Sequence, residues 1–331
     1  MTKSNTILIT GGAGFIGANL VHTLLPLKLG TIHILTEKNT NRWRLNNVLS
    51  SIHVHEVDLA DFAAVKKLIQ TIKPSTIFHL ASFGGLPDQQ DSMTIYNVNF
   101  YGTVNLLTAC KEVGFECFIN TGSSSEYGMK EKPMSEDNIL EPISDYGVAK
   151  AAATQFCLKE ALFNKLPVYT IRPFSVYGDY EMVGRLIPTI FLNALLNKPI
   201  NLSYPYYVRD FIYIKDMVNL YIELARQKPQ GPYIYNGGTG IQSTIQDVMT
   251  TIEQFFSIPL NVYWGQSTPR PWEPKAWQAD TSQAAIVLNW EARYSLQEGL
   301  QTTFAWFKQN RGLYEQMRSN ISAAIIEQAS I

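Results

Sequence analysis

The sequence predicts an α/β fold, a doubly wound parallel sheet followed by a smaller, irregular α/β lobe. Three observations predict it. Short β-branched apolar runs alternate with longer amphipathic runs through the first 178 residues, joined by short connections. The first apolar run ends in a spaced set of glycines and then a helical pattern. After Gly178 proline and aromatic residues rise and the elements become irregular. The 331 residues, 46 % of them apolar, suffice for a large core. They divide into 1–178 and 179–331, with segments around 206–226 and 233–238 of the second part returning to the first.

Thr6 to Ile9 is a run fit for a buried strand. Thr10-Gly11-Gly12-Ala13-Gly14-Phe15-Ile16-Gly17 follows, then a helical pattern over Ala18 to Leu25. Strand, glycine turn and helix is the setting a dinucleotide needs, so a Rossmann-type arrangement is expected. Gly11 permits the tight turn. Gly14 lets the backbone approach a pyrophosphate, and Gly17 allows close helix–strand packing. The helix N-terminus, at Phe15 and Ile16, offers N–H groups to phosphate. A turn without a ligand would need fewer spaced glycines.

Thr31 to Leu35 reads as the second strand. Its end normally carries an acid for the adenosine ribose. Here Thr36 stands there, with Glu37, Lys38, Arg42 and Arg44 beyond. Nothing at Thr36 repels a 2′-phosphate, and the arginines suit one, whereas Glu37 suits a 2′-hydroxyl. The cofactor is expected to be NAD or NADP, with a lean to NADP. The alternative is that Arg42 and Arg44 form a solvated face.

His53 to Val57 is a third strand, ending at Asp58-Leu59, where an acid suits an adenine amino group or a helix cap. Asp61 to Ile72 is an amphipathic helix. Thr76 to Leu80 is a fourth strand, running into Ala81-Ser82. Met93 to Gly114 is a long helix holding Asn97 and Asn99. Phe115 to Asn120 is a fifth strand, ending in a serine cluster, Ser123, Ser124 and Ser125, followed by Glu126-Tyr127-Gly128. Ligands of open parallel sheets bind beyond the carboxyl ends of the strands, so the cluster is well placed. Loop serines that only cap the backbone are the alternative.

Ser144 to Phe163 is a helix carrying Tyr146 and Lys150, four residues apart and so on one face. An ammonium there stabilises the phenolate, drawing a group that titrates near ~10 towards neutrality. The chain has 17 Tyr and as many Lys, so chance alone supplies about one such pair, and one occurs. Its meaning comes from its surroundings. Val168 to Arg172 is a sixth strand, followed by Pro173-Phe174-Ser175-Val176-Tyr177-Gly178.

In the second part, Arg185 to Leu196, Ile214 to Arg226, Ser243 to Phe256 and Ser295 to Gln309 read as helices. Tyr204 to Ile212 is an aromatic strand region containing Arg209. Tyr233 to Asn236 is a strand returning to the sheet. Pro269-Arg270-Pro271-Trp272-Glu273-Pro274 is a rigid loop, and the tail 312–331 carries no readable role.

Composition excludes several classes. A net charge of −1 provides no general field for nucleic acid or an anionic membrane. Cys110, Cys117 and Cys157 form no CxxC pair and fit no metal spacing, so buried thiols, a reducing compartment and no metal are expected. There is no leader-like apolar stretch at the N-terminus and no run near the ~20 residues of a membrane span, so a cytoplasmic protein is expected.

With these pieces in order, the chain resembles the extended short-chain dehydrogenase/reductase family, in its NAD-dependent epimerase/dehydratase group acting on nucleotide sugars. The resemblance runs from about residue 5 to 308. It is carried by Thr10 to Gly17, Asp58-Leu59, His79-Leu80-Ala81-Ser82, Asn97-Val98-Asn99 with Gly102-Thr103, Ser123 to Gly128, Tyr146 to Lys150, Arg172 to Gly178, and Arg209-Asp210-Phe211-Ile212-Tyr213. It implies that Tyr146 is the acid/base at a sugar oxygen and that Ser123 hydrogen-bonds the same oxygen. Lys150 would lower the tyrosine pKa and hold the nicotinamide ribose. It implies cofactor contacts at Gly11, Gly14, Phe15, Ile16, Gly17, Thr36, Arg42, Asp58, Leu59, Leu80, Ala81, Ser82, Asn99, Lys150 and Pro173. Substrate contacts are implied at Ser124, Ser125, Glu126, Ser175, Arg209 and Arg270, the two arginines gripping a diphosphate. It also implies a homodimer built on the helices Met93–Gly114 and Ser144–Phe163.

Two departures matter. Thr36 replaces the ribose acid. Dehydratases of the family carry an acid one or two positions after the catalytic serine, and Ser124 and Ser125 stand there. Glu126 is adjacent, but in a strand-like segment it faces the other side unless a bulge turns it. Ser175 also replaces a family asparagine. The expected function is a nucleotide-sugar epimerase acting by hydride transfer at C4. A 4-keto reductase using NADPH comes second, a 4,6-dehydratase third, and a non-catalytic nucleotide-binding scaffold is the alternative from another class.

Overall fold

The computed structural model describes residues 5–85, 89–256, 259–266 and 274–314. Arg270 and the tail beyond 314 lie outside the described residues.

A seven-stranded parallel sheet organises the chain, and its strands are the apolar runs. β1 (Thr6–Thr10), β2 (Thr31–Thr36), β3 (His53–Glu56), β4 (Thr76–His79), β5 (Cys117–Thr121) and β6 (Val168–Pro173) come from the first part. Two further strands, β7 (Ser175–Tyr177) and β8 (Ile200–Asn201), precede β9 (Val208–Tyr213) and β10 (Ile234–Gly237). β10 joins the sheet beside β6, giving the order β10-β6-β5-β4-β1-β2-β3. β11 (Gln242–Thr244) pairs with β9, which also pairs with β7, and β12 (Val262–Tyr263) pairs with β8.

Alternation along the strands builds a core on each face. Ile7 and Ile9 of β1 pack with Ile32 and Ile34 of β2 in one cluster. That cluster includes α1 (Phe15–Leu27), α6 (Leu186–Leu195) and α7 (Ile214–Gln227). Leu8 and Leu35 point the other way, to Val65 and Ile69 of α2 (Phe62–Ile72), Leu106 and Cys110 of α4 (Gly102–Val113), and Cys157 of α5 (Asp145–Asn164). All three cysteines are free and buried. Side-chain caps set the helix starts. Asp61 accepts from Ala64 N (3.0 Å) and Ser144 from Gly147 N (3.1 Å). Capping boxes start α8 (Ile245–Glu253) and α10 (Leu296–Gln309), while α9 (Ser282–Leu288) lies between them.

Four expectations change. The long helix expected from Met93 begins as α3 (Ser92–Tyr96), widens into a π turn over Asn97–Tyr101, and continues as α4. Within the wide turn Asn99 bonds both the strand-end loop at Phe83 and the helix backbone at Ile95. In the aromatic region only Val208 onward is strand, because Pro205 has no N–H and Tyr204 to Tyr207 closes a turn (3.3 Å). The helix expected from Ser243 begins at Ile245, because Gln242–Thr244 is committed to β9. The segment after Ser123 is a 3₁₀ turn, Ser124–Glu126, and not strand-like.

Candidate active site

The site is assembled at the carboxyl ends of β1, β4, β5 and β6. Gly11 holds φ +66°, and a Cβ there would stand 2.7 Å from Ala81 N and the Leu80 carbonyl carbon. The glycine turn therefore packs directly on the loop after β4. Gly11 N donates to Leu35 O (3.0 Å) and Gly14 N to Gly11 O (2.9 Å). No side chain caps α1, so its first N–H groups, at Phe15 and Ile16, face the turn uncapped. At the end of β2 the Thr36 hydroxyl is buried with no hydrogen-bond partner. An uncapped helix start, a glycine cradle and an orphaned hydroxyl fit a dinucleotide laid across the turn.

The loop after β4 is held by a relay. Ala81 N donates to Thr10 Oγ1 (3.2 Å), which pairs with His79 Nδ1 (2.7 Å); His79 Nε2 pairs with Thr103 Oγ1 (2.9 Å), which donates to Asn99 O (2.7 Å). Burial pushes His79 down to about 3, so the ring is neutral, and these partners set its proton on Nε2. Asn99 itself is buried and donates to Phe83 O (2.6 Å) and Ile95 O (2.9 Å) while accepting from Phe83 N (3.2 Å). Expected to bind cofactor, it pins the loop that carries Leu80, Ala81 and Ser82 through its bonds to Phe83. Asp58 accepts from Ala60 N (2.8 Å), and the buried Leu59 packs at Gly102.

Tyr146 stands in the first turn of α5. A Cβ on the next residue, Gly147, would lie 2.7 Å from Ser125 O, so glycine lets this turn close on the serine loop. Ser123 and Ser82 both stand close enough to the Tyr146 side chain to favour its phenolate. Burial lifts its phenol above the usual range, while the two serines and the Arg185 charge pull it back. Lys150 is buried and donates to Thr121 O (2.9 Å), with Nζ 5.8 Å from the centre of the Tyr146 ring. Burial brings it down to about 8.

Glu126 is corrected most sharply. Expected to touch substrate, it is fully buried and ion-paired to Arg172 Nε at 2.8 Å. Ser124 is buried and Ser125 partly so; Ser125 N donates to Ser123 Oγ (3.1 Å). Pro173 ends β6, and Ser175 lies in β7 opposite Phe211. Arg209 donates to Val208 O (2.6 Å), its guanidinium 5.7 Å from the Trp277 ring. Arg42 is ion-paired with Glu56 at the end of β3. Arg44 is no solvated residue: it is buried, donates to Tyr180 O (2.8 Å) and Ala13 O (3.3 Å), and so braces the glycine turn.

Arg185 was missed by sequence reasoning. It stands at the N-cap of α6, donates to Gly85 O (3.1 Å), and its charge lowers the pKa of the Tyr146 phenol. The available signal was a lone cation just before an apolar helix. Among the described residues no group of histidine, cysteine or acidic side chains could hold a metal ion, and no helix is long and apolar enough to cross a membrane.

Residues 7–238 match the model of the NAD dependent epimerase/dehydratase family. A UDP-glucuronate 4-epimerase from Thermodesulfobacterium geofontis (strain OPF15) is 28 % identical over 94 % of this chain and 98 % of its own. The structure of UDP-glucuronic acid 4-epimerase from Bacillus cereus, in complex with UDP-glucuronic acid and NAD, is similar with a TM-score of 0.82. It is 27 % identical and covers 92 % of this chain and 99 % of that one. A dTDP-glucose 4,6-dehydratase from Bacillus anthracis str. Ames, in complex with NAD, is similar with a TM-score of 0.83, at 25 % identity over 95 % and 99 % of the two chains.

Proposed function

The chain belongs to the NAD dependent epimerase/dehydratase family, and on that premise we propose that it is a nucleotide-sugar 4-epimerase working by hydride transfer at C4. The observation that carries this reading is the convergence of Ser123 and Ser82 on the Tyr146 side chain, Ser82 lying beside the loop on which the glycine turn packs. NAD, when bound, supplies a reversible hydride acceptor. Gly11, Gly14 and Gly17, with the uncapped start of α1, hold its pyrophosphate, and Thr36 meets its ribose. Tyr146 exchanges the proton of the C4 hydroxyl, Ser123 fixes that oxygen, and Lys150 supplies a buried positive charge beneath both.

Net redox change is absent from this scheme, which separates it from the 4-keto reductase. NADP would require Arg42 to leave Glu56, and Arg44 is spent on backbone carbonyls, so NAD is the proposed cofactor. Dehydration would require an acid where Ser124 and Ser125 stand, and Glu126 is buried away from the cleft. We take residues 1–178 as the cofactor part and 179–331 as mainly the substrate lobe.

The substrate proposed first is UDP-glucuronate, the nucleotide sugar named for two of the three similar proteins. Arg185 beside Tyr146 offers a forked cation to a carboxylate on the sugar ring. Arg209 serves the diphosphate. A homodimer is proposed from the exposed apolar side chains of Met93, Tyr101, Val148, Leu162 and Phe163 on α3, the π turn and α5. The test is incubation with UDP-glucuronate and NAD, followed by NMR of the sugar. Interconversion of C4 epimers without net redox change is expected. Net consumption of NADPH on a 4-keto sugar would rule for the reductase instead.

A further inference from the structure

We propose that Glu126 is a positioning residue of this site: buried behind the reacting groups, its carboxylate fixes the backbone of Ser123 and, through Thr154, the stretch of α5 that carries Lys150, and it places a buried negative charge behind that lysine. The inference rests on the proposed roles of Ser123 and Lys150.

The geometry ties three elements to one carboxylate. Glu126 Oε1 accepts from Ser123 N (2.8 Å) and Thr154 Oγ1 (2.9 Å), and Oε2 accepts from Arg172 Nε (2.8 Å). Thr154 lies one turn beyond Lys150 on α5, so the same bond sets the helix carrying Lys150 against the serine loop. A Cβ on Gly122 would stand 2.3 Å from Oε1, so the loop wraps closely around the group. Arg172 Nη1 continues to Tyr127 OH (2.9 Å) and Glu136 O (3.3 Å), which fixes the pair from behind.

Charge supports the same conclusion. Of the groups facing Lys150, His79 is neutral, and burial pushes the Cys157 thiol and Tyr221 phenol well up, so both are uncharged near neutrality. Glu136 is pushed up to about 7 and accepts from Asn236 N (2.7 Å), on the far side of Arg172. Arg185 acts on Tyr146. Burial lifts the Glu126 carboxyl above its usual range, while the Arg172 charge and the bonds from Ser123 N and Thr154 pull it back. As the carboxylate paired with Arg172 it raises Lys150 against the downward pull of burial, and it raises Tyr146 as well. Ser123 has no other carboxylate in hydrogen-bond contact among the described residues, and Glu126 acts on Lys150 through space, without a direct bond.

A merely structural ion pair would change melting and leave Lys150 alone. The test is therefore the titration of Lys150, followed by NMR in protein carrying ¹³C-labelled lysine and assigned by loss of the signal in Lys150→Met. The wild-type midpoint is expected at about 8. In Glu126→Gln it should fall by about one unit or more, since one charge is lost and Arg172 is left unbalanced. Glu126→Asp keeps the charge but shortens the reach, so the midpoint should stay near wild type while turnover falls about tenfold. Should Glu126→Gln fail to fold, the apolar double variant Glu126→Leu/Arg172→Met removes the pair without stranding a charge and should lower the midpoint too. A Lys150 midpoint unchanged in a folded Glu126→Gln or double variant overturns the proposal. Normal turnover in Tyr146→Phe would instead overturn the epimerase reading and leave this titration standing.

Discussion

Lys150 donates to the carbonyl oxygen of Thr121 at 2.9 Å, tying the middle of α5 to the end of β5. The ammonium is thus oriented by backbone, with Nζ 5.8 Å from the centre of the Tyr146 ring. Burial holds it at about 8, which places its loss of charge within the working range. We expect kcat to fall on the alkaline side with a midpoint at about 8, measured as a pH–rate profile. The stability consequence has the opposite sense. The folded pKa lies below that of the unfolded chain, so burying the charge costs stability at neutral pH, and the cost is relieved progressively as pH rises from about 8 to 10.5. Lys150→Met should therefore melt a few degrees higher at pH 7 while losing nearly all turnover.

Tyr146→Phe removes only the hydroxyl that Ser123 and Ser82 share. The glycine turn, α1 and the loop after β4 are untouched, so NAD affinity should stay within about twofold. Turnover should drop by roughly 10²–10⁴, the range for a positioned proton-transfer group. Ser123→Ala should lose less, about 10², because Ser82 still bonds the phenol. Steady-state kinetics beside calorimetric NAD binding separate the effects, and loss of NAD affinity in Tyr146→Phe would refute the assignment.

Arg185 reaches the cleft from α6, and its proposed partner is a carboxylate on the sugar. Arg185→Leu should raise KM for UDP-glucuronate about ten- to a hundredfold. The effect on UDP-glucose, which has no carboxylate, should be less than threefold. Equal losses on both substrates would mean that Arg185 only straps the Gly85 loop through its 3.1 Å bond.

The glycine turn and the Tyr146/Lys150 pair were legible because local spacing carries their geometry: one turn of helix, one tight turn between strand and helix. The roles of Glu126 and Asn99 were not. Glu126 depends on Arg172, 46 residues later, and on a 3₁₀ turn that alternation cannot foresee. A signal was present all the same: Arg172 interrupts a strand whose six residues are all buried, and a buried guanidinium demands a buried acid. Asn99 turned inward because the helix around it widened to a π turn, which no periodicity announces. Arg44 looked like a solvated charge because nothing local hints that Tyr180, 136 residues on, presents its carbonyl.

The edge of the main sheet carries a histidine cluster with its own pH consequence. His33 Nδ1 and His55 Nε2 are 2.9 Å apart, and His33 stacks on His53 at 4.7 Å. Burial first, then the neighbouring imidazoles, lowers His33 from 6.5 to about 4. The unfolded chain therefore binds this proton more readily than the fold does. Stability should be lost as pH falls from 6.5 towards about 4. His33→Leu should flatten part of that acid slope in thermal melts, and an unchanged slope would count against the cluster as its source.

The choice of cofactor turns on Arg42 and Glu56. They form an ion pair where β2 and β3 end, Thr36 opposite Glu56 in the parallel register. Glu56 thus stands at the strand end next to Thr36 and already engages the cation that a 2′-phosphate would need. A phosphate must compete with this carboxylate for Arg42 and bear its repulsion, whereas a 2′-hydroxyl does neither. Glu56→Gln removes the charge and frees the guanidinium. NADP affinity should then rise about tenfold, with NAD affinity nearly unchanged. Arg42→Ala should leave NAD binding intact and reverse the gain in the double variant. Fluorescence titration with both reduced cofactors measures this directly, and a wild-type chain already preferring NADP would mean that Glu56 gives up Arg42 on binding.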